Sequence, residues 1–168
     1  MFSVGSLAGC AGFARHDEND ATCLDEYRLL DDELENNGIE TDPPVGAVVT
    51  VEPLPVTAGE QFEVTLTNES DGDLVTTGAD RYAIQHEMDD GWFTIVGVPP
   101  ELEWDEQETI LGPGEGFSWQ LTATRQEMVE EPYVLCTLPT PETYRFIYWG
   151  LPDAETLPAA EFRIEENE

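Results

Sequence analysis

Acid–base and nucleophilic chemistry has few candidate residues in this chain of 168 residues. The two histidines are His16, in a polar stretch without pattern, and His86, inside a predicted strand between Gln85 and Glu87. Nucleophilic catalysis needs a nucleophile with a base within hydrogen-bond reach, and no nucleophile-elbow, zinc-protease or phosphate-loop motif supplies one. Among 37 acidic residues, adjacent carboxylates carry almost no information about a glycosidase pair. We therefore predict no catalytic residue and no enzyme activity.

The four residues Leu7-Ala8-Gly9-Cys10 match a lipobox, in which the cysteine thiol receives a diacylglyceryl group and the chain is cut just before it. The motif predicts lipidation of Cys10 and a position on the extracellular face of the cell membrane. A secretory signal needs about 15–30 residues. Only nine residues precede Cys10, so we expect an export signal of the twin-arginine type further upstream. The alternative is a chance tetrapeptide.

Lipidation of Cys10 leaves two cysteines, Cys23 and Cys136, which is an even number in an oxidising compartment. We expect them to form a disulfide that closes a very long loop and contributes about 4–5 kcal/mol in the chain-entropy description. Two free thiols are the alternative if the lipobox is chance. The sequence has no CxxC spacing and no EF-hand pattern around Asp71-Gly72-Asp73, so we predict no metal and no cofactor.

The charge of the chain is strongly negative. There are 37 acidic residues and 6 basic ones, all six of them arginine, which gives a formal net charge of −31. The carboxylates alternate with strand-forming runs, so the composition indicates a folded protein with an acidic surface and not a disordered tail. Molar salt shortens the Debye length to about 3 Å, which would relieve the self-repulsion. We interpret the source as a halophile, most naturally a haloarchaeon, and exclude nucleic acid as a partner.

The elements that must position these residues are strands. Phe62, Val64 and Leu66 alternate with polar residues, which is the period-two pattern of a half-buried strand, and Asp89-Asp90-Gly91 supplies a hairpin turn. Prolines at 53 and 55 place the first strand at a sheet edge. About seven strands are predicted, within the ranges 47–52, 62–67, 82–88, 92–96, 117–122, 144–150 and 159–164.

The region before the strands is predicted to be a tether followed by a short helix. Leu24, Tyr27, Leu30 and Leu34 recur at helical spacing, and Asn37-Gly38 can end the helix. We divide the chain into residues 1–44, with the lipobox, tether and helix, and residues 45–168, with an all-β sandwich.

Three further residues are candidate sites. Asn68 begins the sequon Asn68-Glu69-Ser70 on a predicted turn, where glycosylation has an even chance. Trp104 and Tyr133 lie in two long connections, Gly97 to Thr109 and Gln126 to Pro141, where binding residues are often found. Such aromatic side chains more often cover the end of a core, and we keep both interpretations.

The layout resembles the immunoglobulin-like domains of bacterial and archaeal surface lipoproteins. The matching residues are a strand ending in Thr67-Asn68, the Gly91-Trp92 turn, the turn from Leu111 to Glu115, and the strand that begins Tyr144-Arg145. Tyr144 also stands where a tyrosine corner places its ring. The resemblance covers roughly residues 45–164 and implies an immunoglobulin-like β-sandwich that acts as a binding or structural module without common catalytic residues.

The function we expect is therefore a non-enzymatic, lipid-anchored module at the cell surface. Its partners would be the membrane, through the lipid on Cys10, and an unidentified surface protein or glycan. Two alternatives stay open. The first is a secreted proteinase inhibitor that uses a loop such as Gly97 to Trp104, and the second is a solute-binding lipoprotein with a pocket lined by Trp104, Trp119 or Trp149.

Overall fold

The fold was analysed on a computed structural model that describes residues 23, 26–31, 33–34, 38–40, 46–105, 107–137, 139–152 and 154–167. The elements formed by these residues are all β-strands: β1 (Arg28–Leu29), β2 (Gly38–Glu40), β3 (Ala47–Glu52), β4 (Val56–Thr57), β5 (Gln61–Asn68), β6 (Leu74–Thr76), β7 (Tyr82–Met88), β8 (Gly91–Thr94), β9 (Val96–Val98), β10 (Thr109–Leu111), β11 (Gly116–Thr122), β12 (Val134–Leu135), β13 (Thr143–Tyr148) and β14 (Thr156–Glu165).

Two antiparallel sheets form the body of the molecule. The smaller sheet has the order β11-β5-β3, so β3 lies at the sheet edge, as its flanking prolines predict. The larger sheet has the order β2-β14-β13-β7-β8. Both β2 and the short β4 pair in parallel with β14. Two smaller groups, β1-β9-β12 and β6-β10, complete the paired strands.

The core lies between the inner faces of the two sheets. Along β5 the side chains of Phe62, Val64 and Leu66 are buried while the residues between them are partly exposed, which confirms the predicted alternation. Aromatic rings join the sheets: Trp119 of β11 lies 4.9 Å from Phe146 of β13, centroid to centroid. Each such buried aromatic side chain stabilises the fold by about 1.5–3 kcal/mol through area alone.

The strand order is that of an immunoglobulin-like sandwich and confirms the predicted fold class. β3 and β5 pair in one sheet, the chain crosses to β7 and β8 in the other, returns as β11, and ends with β13 and β14 beside β7. A tyrosine corner is also present. The Tyr144 hydroxyl donates to the Thr140 carbonyl and accepts from the Thr140 amide, both at 2.8 Å.

The predicted helix is wrong between residues 26 and 34, where the described residues form a short strand and turns. Arg28 and Leu29 form β1, which pairs antiparallel with β9, and the Leu30 amide extends the pairing by donating to the Val96 carbonyl at 3.1 Å. Leu30 and Leu34 are buried, as their spacing suggested, but they lie in the turns that follow β1. Tertiary pairing with β9 therefore outweighs a weak local helix propensity.

The first part of the chain also contributes to the sheets. β1 and β2 both lie before residue 45, and they pair with β9 and β14 respectively. Residues 28–29 and 38–40 are thus strands of the sandwich assembly, although the sequence predicted no strand before residue 45.

We predict that Tyr144→Phe lowers the free energy of unfolding by about 0.5–1.5 kcal/mol, because the part-buried hydrogen bonds with Thr140 are lost. Urea unfolding in concentrated KCl measures the difference. Tyr27→Phe is the control, since the Tyr27 hydroxyl forms no hydrogen bond in the described part of the chain. Equal stability of the two variants would contradict the structural role of the corner.

Candidate functional site

The predicted disulfide is present. Cys23 and Cys136 are joined, with their Cα atoms 5.4 Å apart and a sequence separation of 113. Cys136 directly follows β12, and its amide donates to the Ile95 carbonyl at 2.8 Å. A Cβ atom placed on Gly97 of β9 would lie 3.0 Å from the Cys136 sulfur and 3.2 Å from the Tyr27 Cβ. The bond therefore packs directly on the β9 backbone, where only glycine fits without displacement.

A side-chain network continues from the disulfide-bound segment into the long loop after β9. Arg28 donates two hydrogen bonds to the Glu33 carboxylate, at 3.2 and 2.9 Å, and the Trp104 indole N–H donates to the same carboxylate at 3.2 Å. Burial raises the pKa of Glu33, but the hydrogen bonds from Arg28 and Trp104 outweigh it, and the net pKa is lowered. Glu33 therefore holds the segment and the loop together as an anion.

Arg81 lies at the centre of this end of the sandwich. It is only 2% exposed, and its guanidinium carbon is 4.8 Å from the Trp104 ring and 5.6 Å from the Trp149 ring. We call Trp104, Arg81 and Trp149 the tryptophan–arginine stack. A buried cation over indole faces gains about 2 kcal/mol or more per contact when desolvated. The Arg81 Nε also donates to the Thr77 hydroxyl at 3.3 Å, and Nη2 donates to the Asp105 carbonyl.

The structure brings together the two predicted recognition residues. The Trp104 and Tyr133 rings lie 5.9 Å apart, and the Trp104 ring is half-buried. Tyr133 is only 4% exposed, its hydroxyl donates to the Asp80 carbonyl, and its ring packs edge-on against Tyr82 at 4.9 Å. Burial raises the pKa of Tyr133, so its hydroxyl stays protonated. Tyr133 thus covers the end of the core and presents no free ring to a partner.

Contacts between charged and aromatic side chains hold this end of the sandwich together. Its titratable side chains are a guanidinium, a protonated phenol and carboxylates engaged by arginine or tryptophan. His86 lies elsewhere, stacked on Tyr144 at 4.8 Å, and forms no hydrogen bond within the described residues. In the described ranges there is also no group of three or more His, Cys, Asp or Glu side chains placed to hold a metal ion.

The glycan predicted on Asn68 conflicts with the described fold. Asn68 is fully buried, and its side-chain nitrogen donates to the carbonyls of Gly72 at 2.8 Å and Leu111 at 2.9 Å. Its side-chain oxygen accepts from the Ser70 amide and hydroxyl. Both amide hydrogens are committed, so in the folded chain Asn68 joins two turns and offers no nitrogen for glycosylation. The sequon pattern reflects an Asn and Ser turn that caps β5.

Other predictions fall outside this region. Cys10 and the rest of the lipobox lie outside the described residues. Among the residues that are described, no helix has the length and apolar character needed to cross a membrane. The sequence analysis did not identify Arg81. The sequence offers little to mark it, beyond its being one of six basic residues and lying between Asp80 and the start of β7.

Comparison with known proteins gives no family. The sequence matches no protein-family model and no curated protein. Among solved structures, it is similar to a beta-glucosidase from Listeria innocua in complex with gluconolactone, with 16% identity, 70% of this chain and 16% of that chain covered, and a TM-score of 0.32. It is also similar to the alkylpurine DNA glycosylase AlkC of Pseudomonas fluorescens bound to DNA with an abasic site analog, with 17% identity, 72% and 31% coverage, and a TM-score of 0.33.

A third similar structure is the C-terminal domain of wzt, with 14% identity, 84% of this chain and 89% of that chain covered, and a TM-score of 0.32. The chain spans less than a third of the glucosidase and glycosylase it resembles. TM-scores this low carry no argument about function.

Removal of the disulfide should be costly. We predict that Cys23→Ser combined with Cys136→Ser lowers the free energy of unfolding by about 4–5 kcal/mol, because the unfolded chain regains the entropy of a long loop. Guanidinium unfolding of the oxidised protein measures this. Cys10→Ser is the matched control and should leave stability unchanged. A loss below about 1 kcal/mol would show that the bond adds little to the fold.

The Glu33 network should give a pH-dependent stability. Because the folded pKa of Glu33 is depressed, its contribution is present above the usual carboxyl pKa of about 4.5 and is lost as pH falls through the folded value. We predict that Glu33→Gln costs about 1–2 kcal/mol at pH 7, and that the difference from wild type shrinks below about pH 4. Unfolding curves of both proteins across pH test this, and a constant difference would contradict it.

Proposed function

We propose that this chain is a non-enzymatic, immunoglobulin-like binding module that is anchored by a lipid on Cys10 to the extracellular face of the membrane. The observation that carries the proposal is the Cys23–Cys136 disulfide. Disulfides form and persist in oxidising compartments, so the bond supports export of the chain. The cysteine it leaves unpaired, Cys10, is the one that ends the lipobox.

The position of the disulfide suits an anchored protein. Cys23 is 13 residues after Cys10, so a fully extended connection spans at most roughly 45 Å. The bond fixes the end of that connection to β9 and β12, inside the sandwich assembly. A pull from the membrane would thus act on the folded body and not on a loosely attached terminus.

The charge distribution supports a halophilic source as part of the same proposal. With 37 acidic residues and no lysine, the surface repels itself unless salt screens it. The ion pairs at Arg28–Glu33, Arg81–Asp80 and Arg163–Glu165 use few of the carboxylates. Unfolding midpoints that rise with KCl into the molar range would agree with this origin.

The inhibitor alternative is weakened by the loop it needs. Between Gly97 and Trp104 the Leu102 amide closes a turn with the Pro99 carbonyl at 3.1 Å, and Leu102 and Trp104 pack against the core. An inhibitory loop presents its apolar side chains to a protease, whereas this loop turns them inward. The solute-pocket alternative is weakened as well, because Trp104 and Trp149 meet each other and Arg81, and Trp119 is buried.

The test is expression from the native locus in a halophilic host, followed by detergent phase partition and intact mass. We predict that the wild-type chain enters the detergent phase with a lipid mass increment, and that Cys10→Ser remains in the aqueous phase. Cys23→Ser is the matched control, since it removes a cysteine but keeps the lipobox, and it should still enter the detergent phase. Aqueous wild-type protein with the mass of an unprocessed chain would refute the anchor.

A further inference from the structure

The outward face of the larger sheet carries an ordered set of polar and aromatic side chains. β7 and β13 turn Tyr82, Ile84, Tyr144 and Phe146 toward the core, so Gln85, Glu87 and Arg145 lie on the other side of the sheet. One cross-strand row is Glu161–Arg145–Gln85–Thr94, and Trp92 stands opposite Glu87 in the next row. We call this surface the Trp92 face, with the members Gln85, Glu87, Trp92, Thr94, Thr143, Arg145, Glu161 and Arg163.

Arg145 is held rigidly on this face. Its Nε donates to the Gln85 side-chain oxygen at 2.8 Å, and the Gln85 nitrogen donates to the Thr94 hydroxyl at 3.2 Å. Its guanidinium carbon lies 4.4 Å from the centroid of the Trp92 ring. Gln85 and Thr94 are themselves buried, so the arrangement is fixed from below. Rigid support of this kind lowers the entropy lost when a ligand binds.

The remaining hydrogen-bonding groups of the row are open. Within the described residues, Nη1 and Nη2 of Arg145 have no acceptor, although Glu161 and Glu87 are near enough to act on its charge. Neither carboxylate forms an ion pair with Arg145 within 4.0 Å. The face therefore presents the terminal N–H groups of Arg145 as donors and the carboxylates of Glu87 and Glu161 as acceptors, beside the indole ring of Trp92.

The local charge is unlike that of the rest of the chain. The face carries two arginines, Arg145 and Arg163, and two glutamates, Glu87 and Glu161. Three more carboxylates lie at its margin: Glu165, which is 3.9 Å from Arg163, and the groove residues Asp89 and Glu142. An anionic ligand would meet these carboxylates and a net charge of −31, and a cationic ligand would meet the two arginines. The balance of donors and acceptors here fits a neutral, polar ligand.

Two grooves extend the face beyond the row. One, of about 490 Å³, is lined in part by Glu87, Thr143 and Arg163, and the other, of about 430 Å³, is lined in part by Thr143, Glu161 and Arg163. Because the grooves share Thr143 and Arg163, they lie next to each other across the ends of β13 and β14. The recessed surface therefore continues beyond the row, along the ends of β13 and β14.

We propose that the Trp92 face binds a neutral oligosaccharide, as the ligand class of the surface module proposed above. A hexose has an apolar C–H face that stacks on an indole, and vicinal hydroxyls that accept from a guanidinium while donating to carboxylates. Since the Arg145 guanidinium occupies one face of the Trp92 ring, the sugar stacks on the opposite face. Stacking and neutral hydrogen bonds also persist in molar salt, where steering by charge is screened.

The test is calorimetric titration of the full chain carrying Cys10→Ser, in concentrated KCl, with cellohexaose, laminarihexaose, mannohexaose and, as the acidic comparison, hexagalacturonate. We expect at least one neutral hexamer to bind with a dissociation constant below about 1 mM. Trp92→Ala and Arg145→Gln should each weaken that binding by about tenfold or more. Phe93→Ala is the matched control: Phe93 is the next residue on β8, is 46% exposed and points to the opposite side of the sheet, so its loss should leave binding unchanged.

Three outcomes of the titrations would overturn the proposal. They are no binding of any neutral hexamer up to about 10 mM, tighter binding of hexagalacturonate, and an equal loss in Phe93→Ala. Capture of a deglycosylated surface protein through Trp92, with no saccharide bound, would also overturn it in favour of a protein partner. Lipid anchoring is tested separately by phase partition. The absence of saccharide binding would therefore not contradict the lipid anchor, and wild-type protein in the aqueous phase would not contradict the saccharide site.

Discussion

The stacking of aromatic side chains between the two sheets sets the register on which the rest of the structure depends. Tyr82 stacks on Phe146 at 4.9 Å and meets Trp119 of the opposite sheet at 5.7 Å. Because strand side chains alternate with a period of two, an inward Tyr82 obliges Gln85 and Glu87 to face outward. A slip of one residue in β7 would turn Glu87 into the core and Tyr82 out of it. The tryptophan–arginine stack at one end of the sandwich and the Trp92 face on its outer surface both depend on this orientation of β7.

The long strands are readable from sequence because their pattern is local. The predicted range 82–88 coincides with β7, and the ranges for β3, β5 and β11 agree to within two residues at either end. The strands that were missed have only two or three residues, as in β1, β4 and β12. Strands this short show no alternation of apolar and polar residues. They form because they pair with a strand that is distant in the sequence. The helix prediction failed at β1 for the same reason, since β9 is far away in sequence.

The sites show the same division between local and distant information. Cysteine parity identified Cys23 and Cys136 without knowledge of the fold. The Asn68 sequon misled, because the turn that buries its amide is completed by Leu111, which is 43 residues away. Neither the tryptophan–arginine stack nor the Trp92 face was predicted, because each joins residues from separate strands or loops through register and loop closure. Arg81 and Arg145 pack on indole rings, and Arg28 binds a carboxylate through two hydrogen bonds. These contacts favour the planar, weakly hydrated guanidinium group over the ammonium group of lysine.

The disulfide also determines how the module would respond to mechanical force. It closes a covalent ring from Cys23 to Cys136, which contains every strand from β1 to β12 and leaves β13 and β14 outside. Tension applied between the N-terminal connection and the C-terminal strand passes through the sulfur–sulfur bond, so the backbone between Cys23 and Cys136 cannot be drawn out. Only the segment after Cys136 can lengthen, and β14 would first have to separate from β13, β2 and β4. The ring contains most of the core residues, so it would stay folded while the C-terminal segment is extended.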